Sequence, residues 1–317
     1  MIKLTKINSK IKTKSFQDTE GNGIYPSLEE LMNMRKYVKY LQNNRLRKTH
    51  SYQSGDLKSV FKGRGIEMEE IRQYSFGDDV RDIDWRVTAR KELPYTKIYA
   101  EERDREVYVW LDLSSLMLFG SYKELKSVTA AKTASLLGWL ALNKGYRFGC
   151  LLFDGNKFLL YKPKNDRAYL AALLKMIANV AKTSSEDPKN NKESRIKALQ
   201  MLSADIKNRA DVFIISSFSG WNDEYDSLLI DIARRADLTL INIFDHLEEK
   251  APAAGQYFAQ NGNDRLVFDT SDKKYRKKYN DYFASKRKKR EDFCNKFGCK
   301  IMNFSADMSV VGNLKIL

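Results

Sequence analysis

The sequence predicts an α/β fold: a doubly wound, mainly parallel sheet, preceded by an N-terminal helix and a small β extension. Three observations predict it. Val107-Tyr-Val-Trp-Leu111 is a near-continuous apolar run, as expected of a parallel strand buried on both faces. From that run to the C-terminus, segments of strand and helix character alternate at crossover lengths. Residues 50–105 differ, because Gly55, Gly63, Gly65 and Gly77 punctuate short segments with β character. The chain is therefore divided into an N-terminal part, residues 1–105, and a main domain, residues 106–317.

The elements follow in order. Residues 1–26 are polar and basic, with Gly21 and Gly23 marking a loop. Ser27-Leu-Glu-Glu30 reads as a capping box, in which the Ser27 hydroxyl accepts from a first-turn amide and Glu30 reaches back. Leu31, Met34, Val38 and Leu41 follow at helical spacing, so a helix over about 28–44 docks by one apolar face. Leu57–Phe61, Ile66–Tyr74 and Pro94–Ala100 are strand candidates. After the 107–111 strand, Ser121 and Glu124 form a second capping box, opening a helix over about 122–142. Arg147–Phe153 is a strand, with Lys157–Tyr161 its hairpin partner across an Asp154-Gly155 turn. Leu170, Leu173, Leu174, Ile177 and Val180 make an amphipathic helix, and residues 183–191 a polar linker. Ile196, Leu199, Leu202 and Ile206 give another helix, Val212–Ile215 a buried strand, and Tyr225, Leu228, Leu229 and Ile232 a further helix. Leu238–Phe244 is a strand, Gln256–Ala259 and Arg265–Phe268 a small hairpin, Lys273–Phe297 a long basic helix, and Lys300–Phe304 the last strand.

The totals bound the function. A chain of 317 residues with 43% hydrophobic and 12% aromatic content can bury a sizeable core. Lys+Arg 56 against Asp+Glu 41 leaves +15, a surface suited to acidic partners. Three cysteines without Cys-x-x-Cys spacing argue against a disulfide framework or a structural zinc site, and point to the reducing cytoplasm. No segment reads as a signal peptide, and the longest apolar stretch, Ala134–Leu142, is too short to span a bilayer, so no membrane anchor is expected.

In doubly wound sheets, ligands sit beyond the carboxyl ends of the strands. The loop after the first strand of the main domain, Asp112-Leu-Ser114-Ser-Leu116, is therefore the first place to look. It resembles the Asp-x-Ser-x-Ser loop of von Willebrand A domains, whose metal-ion-dependent adhesion site captures a partner's carboxylate through a bridging Mg²⁺. That resemblance implies a von Willebrand A-like fold. It also implies an octahedral oxygen shell, which Mg²⁺ requires, completed by a Thr and an Asp from two later loops. This chain keeps Asp112 and Ser114 but has Leu116 for the second Ser and Ser217 where the family places an Asp. Thr183, Ser184, Ser185 and Ser194 offer no convincing Thr context. The site thus reads as degenerate: no bound metal is expected, at most weak Mg²⁺ binding, with Asp112 accepting amides of its own loop.

The segment from Glu69 to Arg90 is the most specific in the chain. Arg72, Arg81, Arg86 and Arg90 interleave with Asp78, Asp79, Asp82 and Asp84 around Trp85, and Gly77 permits a tight turn. The residues allow two readings: an ion-pair network pinning the β extension onto the main domain, or a partner-binding surface. Arg72-x-Tyr74, Gly77-Asp78, Arg81-x-Ile-Asp84-Trp85 and Ala-Arg90 closely resemble the signature of the bacterial family called domain of unknown function 58. The resemblance implies a protein working with a MoxR-type AAA+ ATPase, as an adaptor in assembly or maturation of a client protein. The chain carries no phosphate-cradling Gly-rich loop of its own.

Lys286, Arg287, Lys288, Lys289 and Arg290 crowd the basic helix, with Tyr275, Tyr279, Tyr282, Phe283, Phe293 and Phe297 between its charges. This reads as a helix docked by an aromatic stripe, with polyanion contact as the alternative. His50 and His246 are the only histidines, and no nucleophile elbow appears. Asp154 and Asp245 end strands and stand as candidates to share a face with Asp112. The expectation is a non-enzymatic interaction factor with no catalytic residues. A nucleic-acid-binding module is the alternative class, and a metal-dependent hydrolase a distant third.

Overall fold

The strand β4 (Glu106–Asp112) is the centre of the molecule, and every one of its residues is buried. Its alternation feeds two cores. Val107, Val109 and Leu111 join one hydrophobic cluster, while Tyr108 and Trp110 join another on the opposite face. The computed structural model describes residues 2–6, 23–39, 41, 67–91, 93–100, 105–186, 189–207, 209–261 and 264–316.

β4 lies within a six-stranded sheet together with β5 (Arg147–Phe153), β6 (Phe158–Lys164), β7 (Asp211–Ser216), β8 (Asp237–Phe244) and β11 (Lys300–Ser305). The order is β11-β8-β7-β4-β5-β6, with all neighbours parallel except β6, which returns antiparallel to β5. This is the expected doubly wound, von Willebrand A-like α/β fold. Its strand order reverses at β4, so the carboxyl end of β4 is the topological switch point.

One face carries α1 (Leu28–Asn33), α3 (Lys126–Asn143), α4 (Arg167–Glu186) and α8 (Val310–Ile316), through Leu31, Ala134, Leu174 and Val310. The other carries α5 (Lys192–Asp205), α6 (Asp223–Ala233) and α7 (Lys273–Phe297), through Leu199, Leu229 and Cys294. At the amino-terminal edge of the sheet, Arg105 bridges Asp211 at 2.7 Å and Asp237 at 2.8 Å, tying β7 and β8 to the start of β4. Outside the main sheet, β2 (Glu67–Gln73) and β3 (Tyr95–Ala100) form an antiparallel pair. Between them lies α2 (Trp85–Lys91).

Several expectations need correction. The Ser27–Glu30 capping box is present, but α1 ends at Asn33; Met34 turns, its amide bonding back to Leu31, before helical backbone resumes at 35–39. Leu31, Val38 and Leu41 are buried as the spacing requires. Ser121 and Glu124 do not cap α3, which starts at Lys126 after Leu125. Ser121 instead bonds Asp245 at the end of β8, and Glu124 accepts from Thr129 and Lys132. A tertiary partner outcompetes the local cap. α4 extends into the expected polar linker, as far as Glu186.

The basic amino terminus contains a strand, β1 (Ile2–Lys6). It pairs with β9 (Gln256–Asn261), which also pairs with β10 (Asp264–Asp269), so the expected small hairpin is part of a three-stranded sheet. α8 was not anticipated at all. The strand candidate at 57–61 and His50 lie outside the described residues.

Candidate functional site

The switch-point loop is held together by a buried cation supplied by the chain itself. Asp112 Oδ1 accepts the Ser114 amide at 3.0 Å, the local contact the sequence suggests. Asp112 Oδ2 accepts from the Ser216 hydroxyl at 2.7 Å and from Arg195 Nη1 at 3.2 Å. Arg195 Nη2 donates to Ser114 Oγ at 3.1 Å and to Asn190 Oδ1 at 2.8 Å. The guanidinium also lies over the Phe153 ring, 5.2 Å from its centroid. Both ends of the pair are closed off from solvent, Arg195 at 2% exposure and Asp112 at 0%.

The sequence reading missed Arg195, although a signal was there. Arg195, Leu199 and Leu202 stand at i, i+4 and i+7 on α5, so the arginine lies on the buried face and needs a partner. Asn191 caps α5 by accepting the Ser194 amide, which fixes the helix start that delivers Arg195. The segment before the cap is docked by Ser115, whose amide donates to the Lys189 carbonyl at 2.9 Å. Gly155 makes room for it: its φ is +100°, and an added Cβ would collide with the Lys189 carbonyl.

The residues present do not fit the octahedral metal implied by the fold family. The two side chains retained from that motif, Asp112 and Ser114, are already engaged by one guanidinium. A divalent ion there would meet a fixed positive charge a few ångströms away. Ser216, not Ser217, faces Asp112; the Ser217 amide turns to the Met117 sulfur at 3.1 Å. Leu116 is partly buried near Gly220. Thr183 bonds the Asn179 carbonyl within α4, so it does not serve the loop.

The other strand-end carboxylates are also engaged by donors of the chain. Asp154 accepts the amides of Asn156 and Lys157. Asp245 Oδ1 accepts from the Ser121 hydroxyl at 2.7 Å and the Leu247 amide at 2.9 Å, and Oδ2 from the Ser121 amide at 2.7 Å. His246 Nδ1 meets Asp307 Oδ2 at 2.8 Å. Asp245, His246 and Asp307 form a group with potential ligand atoms within 4.8 Å of one another. Asp245 accepts three hydrogen bonds and joins the Ser121 loop to the turn after β8.

The signature segment is organised differently. Arg72 Nη2 pairs with Asp78 at 2.7 Å and Arg72 Nη1 bonds Ser75, closing the turn at Gly77, whose φ is +108°. Hydrogen bonding from the Ser75 amide, then from Arg72, holds the Asp78 carboxyl below its ordinary value. Asp79 accepts from Arg81, and Asp84 caps α2 through the Arg86 and Val87 amides while pairing with Lys97 at 3.5 Å. Among the described residues these bonds stay within residues 67–100, where they form the ion-pair network of the first sequence reading and shape the segment. The apolar side chains face outward: Phe76 is fully exposed, Trp85 is 67% exposed, and Val80 and Leu93 are exposed beside them. Arg81, Arg86 and Arg90 are exposed on the same segment, and Tyr74 is half-buried.

The basic helix is largely engaged with its own protein. Tyr279 donates to the Leu247 carbonyl, Cys294 is buried, and Phe293 packs against the α5–α6 face, while Tyr275 and Tyr282 stay exposed. Within its basic cluster, Lys286 lies over Tyr282, Arg287 donates to the Glu248 carbonyl, Lys289 pairs with Asp223, and Arg290 covers Phe218; Lys288 is exposed. Four of these five charges therefore have intramolecular contacts, with Lys288 and Lys289 still exposed. No helix among the described residues is long and apolar enough to cross a membrane.

Comparisons with known proteins bear on this arrangement. The uncharacterized protein Mb1516 of Mycobacterium bovis is 28% identical over 217 residues, covering 68% of this chain and 67% of its own. The uncharacterized protein Rv1480 of Mycobacterium tuberculosis matches with the same figures. Among solved structures, the conserved hypothetical protein BatB from Bacteroides thetaiotaomicron is 14% identical, with 67% of this chain and 95% of that one covered and a TM-score of 0.40. The SpRpn10 VWA domain is 11% identical, with 67% and 93% covered and a TM-score of 0.38. The family model described as "Protein of unknown function DUF58" matches residues 70–289, from the outward-facing signature segment to the basic helix, and the chain belongs to that family.

Proposed function

We propose that this protein is a non-enzymatic, cytoplasmic interaction adaptor that works with a MoxR-type AAA+ ATPase in the assembly or maturation of a client protein. The observation that carries this reading is the exposed signature segment. Phe76, Val80, Trp85 and Leu93 are exposed along the segment between β2 and β3, whose first turn is closed by the Arg72–Asp78 pair and whose helix is capped by Asp84, with Arg81, Arg86 and Arg90 on the same segment. Exposed aromatics mixed with arginines are the composition of interface hot spots. The Arg195-filled loop supports the same reading. With its oxygens engaged internally, capture of a partner through a bridging metal is disfavoured, and contact falls to the protein surface. The free cysteines Cys150, Cys294 and Cys299 accord with a reducing compartment.

Capture from the native cell, in ATP or a slow-hydrolysing analogue, is the test. Recovery of an AAA+ ATPase with the wild-type protein, reduced by Phe76→Ala and Trp85→Ala, is the expected outcome. Recovery of nucleic acid alone would sink the reading.

A further inference from the structure

The loop after β7 helps enclose a cavity of about 280 Å³ that no role so far accounts for. Phe218, Trp221 and Phe293 supply apolar wall, and Lys286, Lys289 and Arg290 of α7 supply positive charge. Two of these residues carry buried donors without a hydrogen-bond partner, Arg290 Nε and Trp221 Nε1. Buried polar groups are normally paired, so two unpaired donors on residues that line one cavity mark its wall as polar as well as apolar. Desolvation also pulls the Arg290 guanidinium below its ordinary value, against the opposing charges of Glu248 and Glu291.

The backbone adds an independent sign. Phe218 has φ +51°, a left-handed conformation that a bulky aromatic rarely adopts. Such outliers cluster at ligand sites, where the strain positions a group. The Phe218 amide donates to Ser216 Oγ, the hydroxyl that also binds Asp112, so the cavity lies beside the switch point of the sheet.

The charge balance narrows the ligand. Lys289 pairs with Asp223 at 3.0 Å, and Asp226 also lines the cavity. With Lys289 paired to Asp223, Lys286 and Arg290 remain to meet an anion, and Glu248 and Glu291, which also act on Arg290, limit that anion to a single charge rather than a polyphosphate. We propose that this cavity binds a carboxylate attached to an aromatic or branched apolar body, the anion near Arg290 and Lys286 and the body against Phe218, Trp221 and Phe293. A free aryl acid and the carboxyl terminus of a peptide share this chemistry.

The test is NMR titration of the full-length protein, read at the tryptophan indole N–H signals. The Trp221 signal is assigned by its absence in Trp221→Phe. The probes are 3-phenylpropionate, N-acetylphenylalanine and the neutral 3-phenylpropanol. The expected result is a saturable shift of the Trp221 signal with at least one carboxylate. The alcohol and the Arg290→Gln protein should each bind at least about tenfold more weakly, the effect of losing a charge-assisted hydrogen bond. An unchanged Trp139 signal, from the opposite core, verifies folding; if Arg290→Gln unfolds, Lys286→Gln serves in its place. Tighter binding of N-acetylphenylalanine would identify a peptide terminus, and tighter binding of 3-phenylpropionate a free acid. No carboxylate response, equal response to the alcohol, or full binding by the folded variant would overturn the proposal.

Discussion

The Asp112 loop and the Arg72–Trp85 segment both join arginines to aspartates, yet the two arrangements do opposite things. Arg195 and Asp112 are 83 positions apart, buried, and surrounded by further partners in Ser114, Asn190 and Ser216. Arg72 and Asp78 are six positions apart and partly exposed, within a turn whose apolar side chains face water. The buried pair spends its charges internally, holding the loop after β4 in place. The exposed pairs fix a backbone and leave its side chains presented. Charge in the first region thus serves closure, and charge in the second serves display.

The comparison can be broken most forcefully at the buried pair. Arg195→Ala strands Asp112 without its counter-charge and should cost about 3–5 kcal/mol, read as a lower urea midpoint. Asp112→Ala should cost a similar amount, and the double variant clearly less than the two losses added. An additive double variant would show that the two groups are not coupled. Next comes Gly155→Ala, which places a Cβ at positive φ against the Lys189 carbonyl. It should cost about 1–3 kcal/mol and speed amide exchange at Ser115, whose donor bond goes to that carbonyl. Trp85→Ala should leave stability within about 0.5 kcal/mol, because the side chain is already exposed, while weakening ATPase capture. A matched loss of stability would place Trp85 in the fold rather than in an interface.

The smallest effect concerns pH. Amide and arginine hydrogen bonds hold Asp78 below the ordinary 3.8, and amide bonds from Val87 and Arg86, with Lys97 nearby, do the same for Asp84. A depressed carboxyl contributes order above its ordinary value and loses it as pH falls through the depressed one. Protection of the Ser75 and Val87 amides should therefore fall below about pH 3.8. Protection that is flat through that range would remove these carboxylates from the account.

What was legible in the sequence was what chemistry keeps local. The Ser27–Glu30 box, the β4 run buried on both faces and the Asp154 turn all depend on residues a few positions apart. The failures share one cause, a partner far along the chain. Ser121 looked like a cap, but Asp245, 124 positions away, takes both its donors. β1 looked like a basic tail, although Ile2 and Leu4 alternate with polar residues, because its partner strand begins at Gln256. Loss of the metal-loop pattern was readable at Leu116, whereas the identity of the group that fills the loop was not. Arg195 stood on the apolar face of its helix, and that misplaced charge was the one available warning.

Calorimetric titration with Mn²⁺ asks whether Arg195 supplies the positive charge at the switch point. The wild-type protein should show no saturable binding, and Arg195→Ser combined with Leu116→Ser should gain it by releasing Asp112 and Ser114 and adding a hydroxyl. Micromolar Mn²⁺ binding by the wild-type protein, abolished in Asp112→Ala, would contradict that role for Arg195.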